Sequence, residues 1–238
     1  MKKILIIFMF LFLLTGCGNK NNELVMVTEA GFAPYEYYED GKIVGVDVDI
    51  ANEIAKKMGK KLVIKDVAFD SIINEVKSNK SDFGAAGISY SEEREKEVDF
   101  SINYTTSKQV VVIKKDSGIT VDNLDGKKIA VQLGSIGDGY VTSNYKNSEI
   151  VRQKKYLQAI EDLKSDKVDC VVMDELPALE FVKVNDNLMV LDKELTSDSY
   201  GMIVKKDNEE LLEVINRVLD RLVNDGTIDS YIIEHTTK

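Results

Sequence analysis

Between Gly84 and Ser101 the chain reads GAAGISYSEEREKEVDFS, with Arg94 five residues after Ser89 and three after Ser91. Either serine suits a helix N-cap, and Glu92 and Glu93 suit a first turn, so the pattern predicts a short helix starting here. Arg94 falls in that same turn. A cation there meets the positive end of the helix dipole, at a cost of a few tenths to about 1 kcal/mol unless an anion lies between them. A planar guanidinium, free N–H groups at a helix start and two serine hydroxyls together make a receptor for a carboxylate. The segment alone leaves a second reading open, in which Arg94 pairs with Glu92, Glu95 or Glu97 on a solvated surface.

A repeat supplies a second charged candidate. Val76 to Phe83, VKSNKSDF, recurs as Leu163 to Cys170, LKSDKVDC, at an offset of 87 residues. Each copy reads as a helix end, a polar turn and a strand start, which predicts two lobes of similar βα topology, although eight residues also match by chance. Five residues beyond Asp82 the first strand ends at Gly87, and five beyond Asp169 the second ends at Asp174. Open α/β sheets bind ligands at the carboxyl ends of their strands. If the two lobes face each other, Asp174 stands opposite the segment from Gly87 to Arg94.

The elements that would position these groups alternate between strand and helix. A strand over 24–28 leads into the loop of Glu29 to Tyr35 and a hairpin turning at Asp40-Gly41. Asp47 or Asp49 then starts a helix that Gly59 closes. Strand 62–64, a helix from Phe69 with Ile72, Ile73 and Val76 buried, and strand 83–86 follow. The second half predicts strand 128–131, a glycine-rich turn at 134–137, a weak helix to Tyr145, strand 149–152, helix 157–164, strand 168–173, helix 178–184 and strand 200–204. Helices near 209–224 and 228–234 end the chain. This alternation predicts a largely parallel α/β sheet covered by helices.

At the N-terminus, Lys2 and Lys3 precede eleven apolar residues, Ile4 to Leu14, too few for the roughly 20 of a membrane span but suited to an export signal. Leu14-Thr15-Gly16-Cys17 resembles the lipobox of bacterial lipoproteins, which implies lipidation of Cys17; an ordinary secretory cleavage site beside an incidental cysteine is the alternative. Asn19 to Asn22 reads as a tether. Removing residues 1–16 from 238 leaves 222, and losing Lys2 and Lys3 takes the formal charge from −10 to −12. So acidic a chain is a poor partner for nucleic acid. With Cys17 lipidated, Cys170 has no partner for an intrachain disulfide and reads as a buried small hydrophobe. The single histidine, His235, lies in a polar tail, which argues against a histidine-based metal or catalytic cluster.

Many further motifs occur in one order: Phe32-Ala33-Pro34-Tyr35-Glu36, Gly45-Val46-Asp47-Val48-Asp49, Ala86-Gly87-Ile88-Ser89, Glu93-Arg94, Val98-Asp99-Phe100-Ser101, Leu124-Asp125-Gly126-Lys127, Val131-Gln132-Leu133-Gly134-Ser135 and Val168-Asp169 through Asp174. In these the chain resembles, from Leu24 to the C-terminal helix, the bacterial extracellular solute-binding lipoproteins that serve polar amino acid ABC importers. The resemblance implies a two-lobed periplasmic-binding-protein-like fold of type II with two hinge strands. Its expected organisation is a signal peptide over 1–16, a tether over 17–23, lobe 1 over 24–103 plus 201–238, lobe 2 over 109–195, and hinges at 104–108 and 196–200. The implied role is binding a polar amino acid outside the cytoplasm and delivering it to an ABC permease, by a monomer anchored to the membrane through lipid, with no cofactor and no metal.

The resemblance also implies ligand contacts at Glu29, Phe32, Phe69, Ala86, Gly87, Ser89, Arg94, Gln132, Gly134, Ser135 and Asp174. Arg94 would hold the α-carboxylate, aided by Ser89 and the Gly87 and Ser135 backbone, and Asp174 the α-ammonium. Phe32 and Phe69 would stack on the side chain, with core packing as their alternative role, whereas Asp47 and Asp49 read as helix-start and structural residues. Two departures stand out: serine where relatives often have threonine, at Ser89, and Ile136 where they often have threonine or glycine. Among other functions, a dehydratase on the same fold is opposed by the lack of histidine and cysteine at the site, and a sensory or adhesive surface lipoprotein remains an alternative. Glu29 and Gln132 would face the ligand side chain. With Arg94 and Asp174 balancing a zwitterion, Glu29 is left unbalanced, which favours arginine or lysine, stacked through cation–π contacts of about 0.5 to 2 kcal/mol, with glutamine second.

Overall fold

β-branched runs separated by amphipathic stretches become strands and helices in the computed structural model, which describes residues 22–237. The expectations for the signal segment, for Cys17 and for most of the tether lie outside the described residues. The first half contains β1 (Glu23–Thr28), β2 (Tyr37–Glu39), β3 (Lys42–Val44), α1 (Val46–Met58), β4 (Lys61–Asp66), α2 (Ile72–Lys77), β5 (Phe83–Gly84), α3 (Glu92–Glu95) and β6 (Val98–Phe100). Then follow β7 (Thr105–Lys114), β8 (Lys128–Gln132), α4 (Ile136–Asn144), β9 (Glu149–Gln153), α5 (Tyr156–Lys164), β10 (Cys170–Asp174), α6 (Glu175–Lys183), β11 (Leu188–Val190), β12 (Thr196–Tyr200), β13 (Ile203–Lys205), α7 (Glu209–Asn224) and α8 (Thr227–Thr236).

Apart from the antiparallel β2–β3 hairpin, these strands form two mixed sheets. The first has the order β4-β1-β5-β13-β6, with β1 parallel to β4 and β5 and with β13 antiparallel to its neighbours. The second runs β11-β7-β10-β8-β9, and β12 also pairs with β7. Its central strand β10, CVVMD, is buried throughout, because a strand covered on both faces reads as one apolar run rather than an alternation. The chain crosses between sheets twice, from β6 to β7 and from β12 to β13, with β7 and β12 antiparallel from Thr105 opposite Tyr200 to Gln109 opposite Thr196. After the second crossing α7 buries Leu211, Ile215, Val218, Leu219 and Leu222, a helical stripe that packs on α1.

The repeated octapeptide folds identically in both lobes. Ser78 and Ser165 end α2 and α5, each hydroxyl donating to the carbonyl four residues back, at 2.6 Å to Asn74 and 2.7 Å to Glu161. Asn79 and Asp166 take the left-handed backbone that short polar side chains tolerate, at φ 54° and 59°. Asp82 Oδ2 accepts from Val25 N, and Asp169 Oδ2 from Lys128 N, both at 2.7 Å. Each aspartate thus locks the entry to its strand onto the parallel neighbour of that strand, β1 in one sheet and β8 in the other.

The segment 105–114 is the longest strand among the described residues and takes in most of the hinge expected over 104–108; its apolar run, Val110 to Ile113, follows five polar residues, so no apolar period marks the strand as a whole. Two expectations are corrected. The single strand expected over 200–204 divides into β12 and β13, one per sheet. His235 is buried rather than part of a polar tail: its Nε2 lies 2.7 Å from Asp49 Oδ2 and its Nδ1 3.0 Å from the Tyr37 hydroxyl, so α8 is fastened to α1 and to the hairpin.

Candidate functional site

The loop after β5 is shaped by glycine. Gly87 sits at φ 52°, and a Cβ there would lie 2.6 Å from the Phe32 ring, so only glycine lets that ring approach the backbone. Ala86, next to it, is buried. The Gly87 N–H donates to Asp47 Oδ2 at 3.0 Å, and the Tyr104 hydroxyl donates to Oδ1 at 2.6 Å. Asp47 therefore does not cap α1, whose N-cap is Gly45, but braces this loop from beneath. Burial first, then the neighbouring Asp47 carboxylate, hold the fully buried Glu36 well above the ordinary carboxylate range.

Ser91 caps α3 and accepts from Arg94 N at 3.2 Å, as one of the two serine readings requires. The guanidinium turns away from the acidic cluster: Nη1 donates to Ser89 O at 2.6 Å, Nη2 donates across to Gly134 O of the other lobe at 2.8 Å, and the group lies 5.5 Å from the Phe69 ring centroid. Among the described residues no ion pair involves Arg94; Glu97 pairs with Lys77 and Glu95 accepts from the Tyr90 hydroxyl. Burial lowers the Arg94 pKa, and Asp198 and Asp174 oppose that shift, which places both carboxylates within its field.

Asp174 ends β10 and is 6% exposed. Its Oδ1 accepts from Ser107 at 2.8 Å, from Gln109 at 2.8 Å and from the Tyr200 hydroxyl at 2.5 Å, while among the described residues no hydrogen bond reaches Oδ2. Burial, then the nearby Asp198, push its pKa up to about 6, against the pull of those three donors. Asp198 accepts from Ser89 Oγ at 2.6 Å and shares Gln109 with Asp174 at 3.3 Å.

At the far end Glu29 is 1% exposed. Gln132 Nε2 donates to its Oε2 at 3.1 Å, and Lys155 Nζ lies 3.0 Å from Oε1, an ion pair without hydrogen-bond angles. Burial raises the Glu29 pKa, and Lys155 and then Gln132 pull against it. The expectation that Glu29 stands unbalanced is therefore corrected: Lys155, 126 residues away in sequence, supplies its counter-ion. Phe32 stacks against Tyr35 at 5.9 Å and against Tyr156 of the other lobe at 5.8 Å. The backbone N–H groups of Gly87 and Ser135 are both engaged, the latter by Gln132 O at 3.1 Å, and Ser135 Oγ caps α4 by accepting from Asp138 N. The open part of the cleft, about 790 Å³, is lined by Phe69, Arg94, Gly134, Ser135, Ile136 and Thr196. Glu29, Phe32, Gln132 and Asp174 lie off that wall, in buried ground between the lobes.

Sequence reasoning missed Lys155, Asp66, Tyr156 and Asp198. Asp66 ends β4 and Lys155 follows β9, so the rule that ligands meet the carboxyl ends of strands would have selected both. Asp198 carries no such signal, since it sits within the strand that joins the sheets. Between the lobes the cations Arg94 and Lys155 lie among the carboxylates of Glu29, Asp66, Asp174 and Asp198. The arrangement offers a guanidinium for one end of a zwitterion, a carboxylate pair for the other, and a net negative field for the remainder.

The model of the family described as bacterial extracellular solute-binding proteins, family 3, matches residues 24–236. The arginine-binding extracellular protein ArtP of Bacillus subtilis is 33% identical over 92% of this chain and 90% of its own length. The structure of the amino acid ABC transporter substrate-binding protein AbpA of Streptococcus pneumoniae bound to L-arginine superposes with a TM-score of 0.87 at 35% identity, covering 91% of this chain and 95% of that one. An ancestral arginine-binding protein bound to glutamine gives 0.84 at 38% identity, over 90% and 97%.

Proposed function

This chain belongs to the bacterial extracellular solute-binding proteins, family 3, and from that premise we propose that it binds arginine outside the cytoplasm and delivers it to the permease of an ABC importer. Asp174 carries the reading. A buried carboxylate with its pKa pushed up to about 6 and one oxygen left without a donor is a receptor for an ammonium group. Arg94, with two of its five donors engaged, takes the α-carboxylate. Arginine, with a net charge of +1, offsets the excess of carboxylates better than a neutral amino acid does, and glutamate worsens it. Glutamine is the second reading, favoured by Lys155, which already neutralises Glu29. The lobes close about the two crossings that β7 and β12 form, and the ligand leaves the cleft chemically unchanged. Competition calorimetry at pH 7 with arginine, lysine, glutamine and glutamate tests this: arginine should bind most tightly, and a ligand at 100 times its dissociation constant should add about 2.7 kcal/mol of stability. Tightest binding of glutamate or of an aliphatic amino acid would defeat the specificity argument.

Lipidation of Cys17 anchors the protein at the membrane surface as a monomer. Among the described residues no helix is long and apolar enough to cross a membrane. Cys17→Ser should move the protein from the membrane fraction to the soluble fraction. Its retention in membranes after signal cleavage would dispose of the lipid anchor.

A further inference from the structure

Lys155 stands before α5 in the second lobe and reaches into the first, where it meets two carboxylates at different depths. Glu29, 3.0 Å away, keeps 1% of its side chain exposed; Asp66, 3.4 Å away, keeps 23%. Lys155 itself is 42% exposed, so its ammonium lies at the boundary between buried site and solvent. The outer carboxylate is held in place by the Tyr38 hydroxyl, which donates to Asp66 Oδ2 at 3.3 Å, and by Ala30 N, which donates to Oδ1 at 2.9 Å. The inner one is held by Gln132 and crowded by the backbone of Gly31, where a Cβ would lie 2.9 Å from Glu29 Oε1. A flexible four-carbon stem therefore carries a cation that meets both fixed anions at once, paired with Glu29 and hydrogen-bonded to Asp66, so a small swing shifts its share between them.

We propose that Lys155 is a specificity-determining residue, an exchangeable counter-ion that stays on Glu29 when the bound amino acid has a neutral side chain and moves onto Asp66 when a cationic side chain takes its place. The inference rests on the proposed function and deepens it. A buried carboxylate left without a partner is costly, so with a neutral ligand Glu29 needs Lys155. With a cationic ligand, two like charges would crowd one buried carboxylate, and Asp66 relieves the conflict by receiving the displaced ammonium. One site thereby serves both arginine and glutamine, and the relative strength of the two Lys155 contacts sets their ratio.

Calorimetric affinities for arginine and glutamine at pH 7 test this in the parent protein, Lys155→Met, Lys155→Gln and Asp66→Asn. The quantity read is the ratio of arginine to glutamine affinity within each protein, which partial unfolding leaves unaffected. Removing the internal cation leaves Glu29 bare under glutamine, so Lys155→Met and Lys155→Gln should raise the ratio at least about tenfold, the scale on which stranded buried charges act. Asp66→Asn takes away the alternative partner and should lower the ratio about threefold, as expected for a partly exposed charge. A ratio in both Lys155 variants within twofold of the parent's, or a ratio in Asp66→Asn at or above it, overturns the inference while leaving the proposed function intact. A parent protein that binds neither amino acid overturns both.

Discussion

Asp174→Asn is expected to weaken arginine binding at pH 7 by at least about 2 kcal/mol, roughly thirty-fold, because it exchanges a buried charge for a neutral group of the same shape. The amide oxygen still accepts from Ser107, Gln109 and Tyr200, so the packing around β10 is preserved and the loss reports on the ammonium contact itself. The same side chain sets a pH dependence. Only ionised Asp174 attracts an ammonium, and its pKa in the folded protein is about 6, so below that pH protons compete with the ligand. Asp174 should contribute a fall in affinity of about tenfold per pH unit below 6 and nothing above about 7. The profile of Asp174→Asn should be shallower by that amount; identical slopes in parent and variant would remove Asp174 from the ammonium site. Its effect on stability has the opposite sign. A carboxyl whose pKa rises on folding binds its proton more tightly in the folded chain, so its stabilising contribution is lost as pH rises from the ordinary value of 3.8 through about 6, and is constant above that.

Arg94→Ala should cost at least about 2 kcal/mol of binding as well, with a smaller effect on folding. The guanidinium is held by two backbone carbonyls, one per lobe, and by no ion pair among the described residues, so its loss breaks no ion pair within the fold. What it removes is a planar fork that lines the open cleft and keeps further donors beyond those two. Arg94→Lys keeps the charge but not the fork, and should recover only part of the affinity. Because Arg94 also joins Ser89 to Gly134, the alanine variant should favour an open cleft, visible as a larger radius of gyration in solution scattering with saturating arginine. Near-parental affinity in folded Arg94→Ala would return this residue to the surface role that the sequence also allowed.

Strands and helices with period-2 or period-3.6 apolar patterns were legible because burial on one face leaves a local trace, and the α7 stripe is the clearest instance. The octapeptide repeat was legible because each lobe solves the same local problem, ending a helix and locking the next strand with an aspartate. Arg94 and Asp174 stood out through position alone, one in a turn where a cation is misplaced and the other at the end of a repeated strand. No local pattern marked Lys155 as the partner of Glu29, Asp198 as the neighbour of Asp174, or His235 as the clasp on Asp49. Each of those pairings joins residues from 24 to 186 positions apart, and depends on how two lobes and a returning helix come to rest against one another. Short-range chemistry in the chain therefore determined the elements, the lobe repeat and the two charges suited to a zwitterion. Only the tertiary structure decided which charges neutralise each other, because Coulomb energy depends on distance and burial, and both are set when the lobes meet.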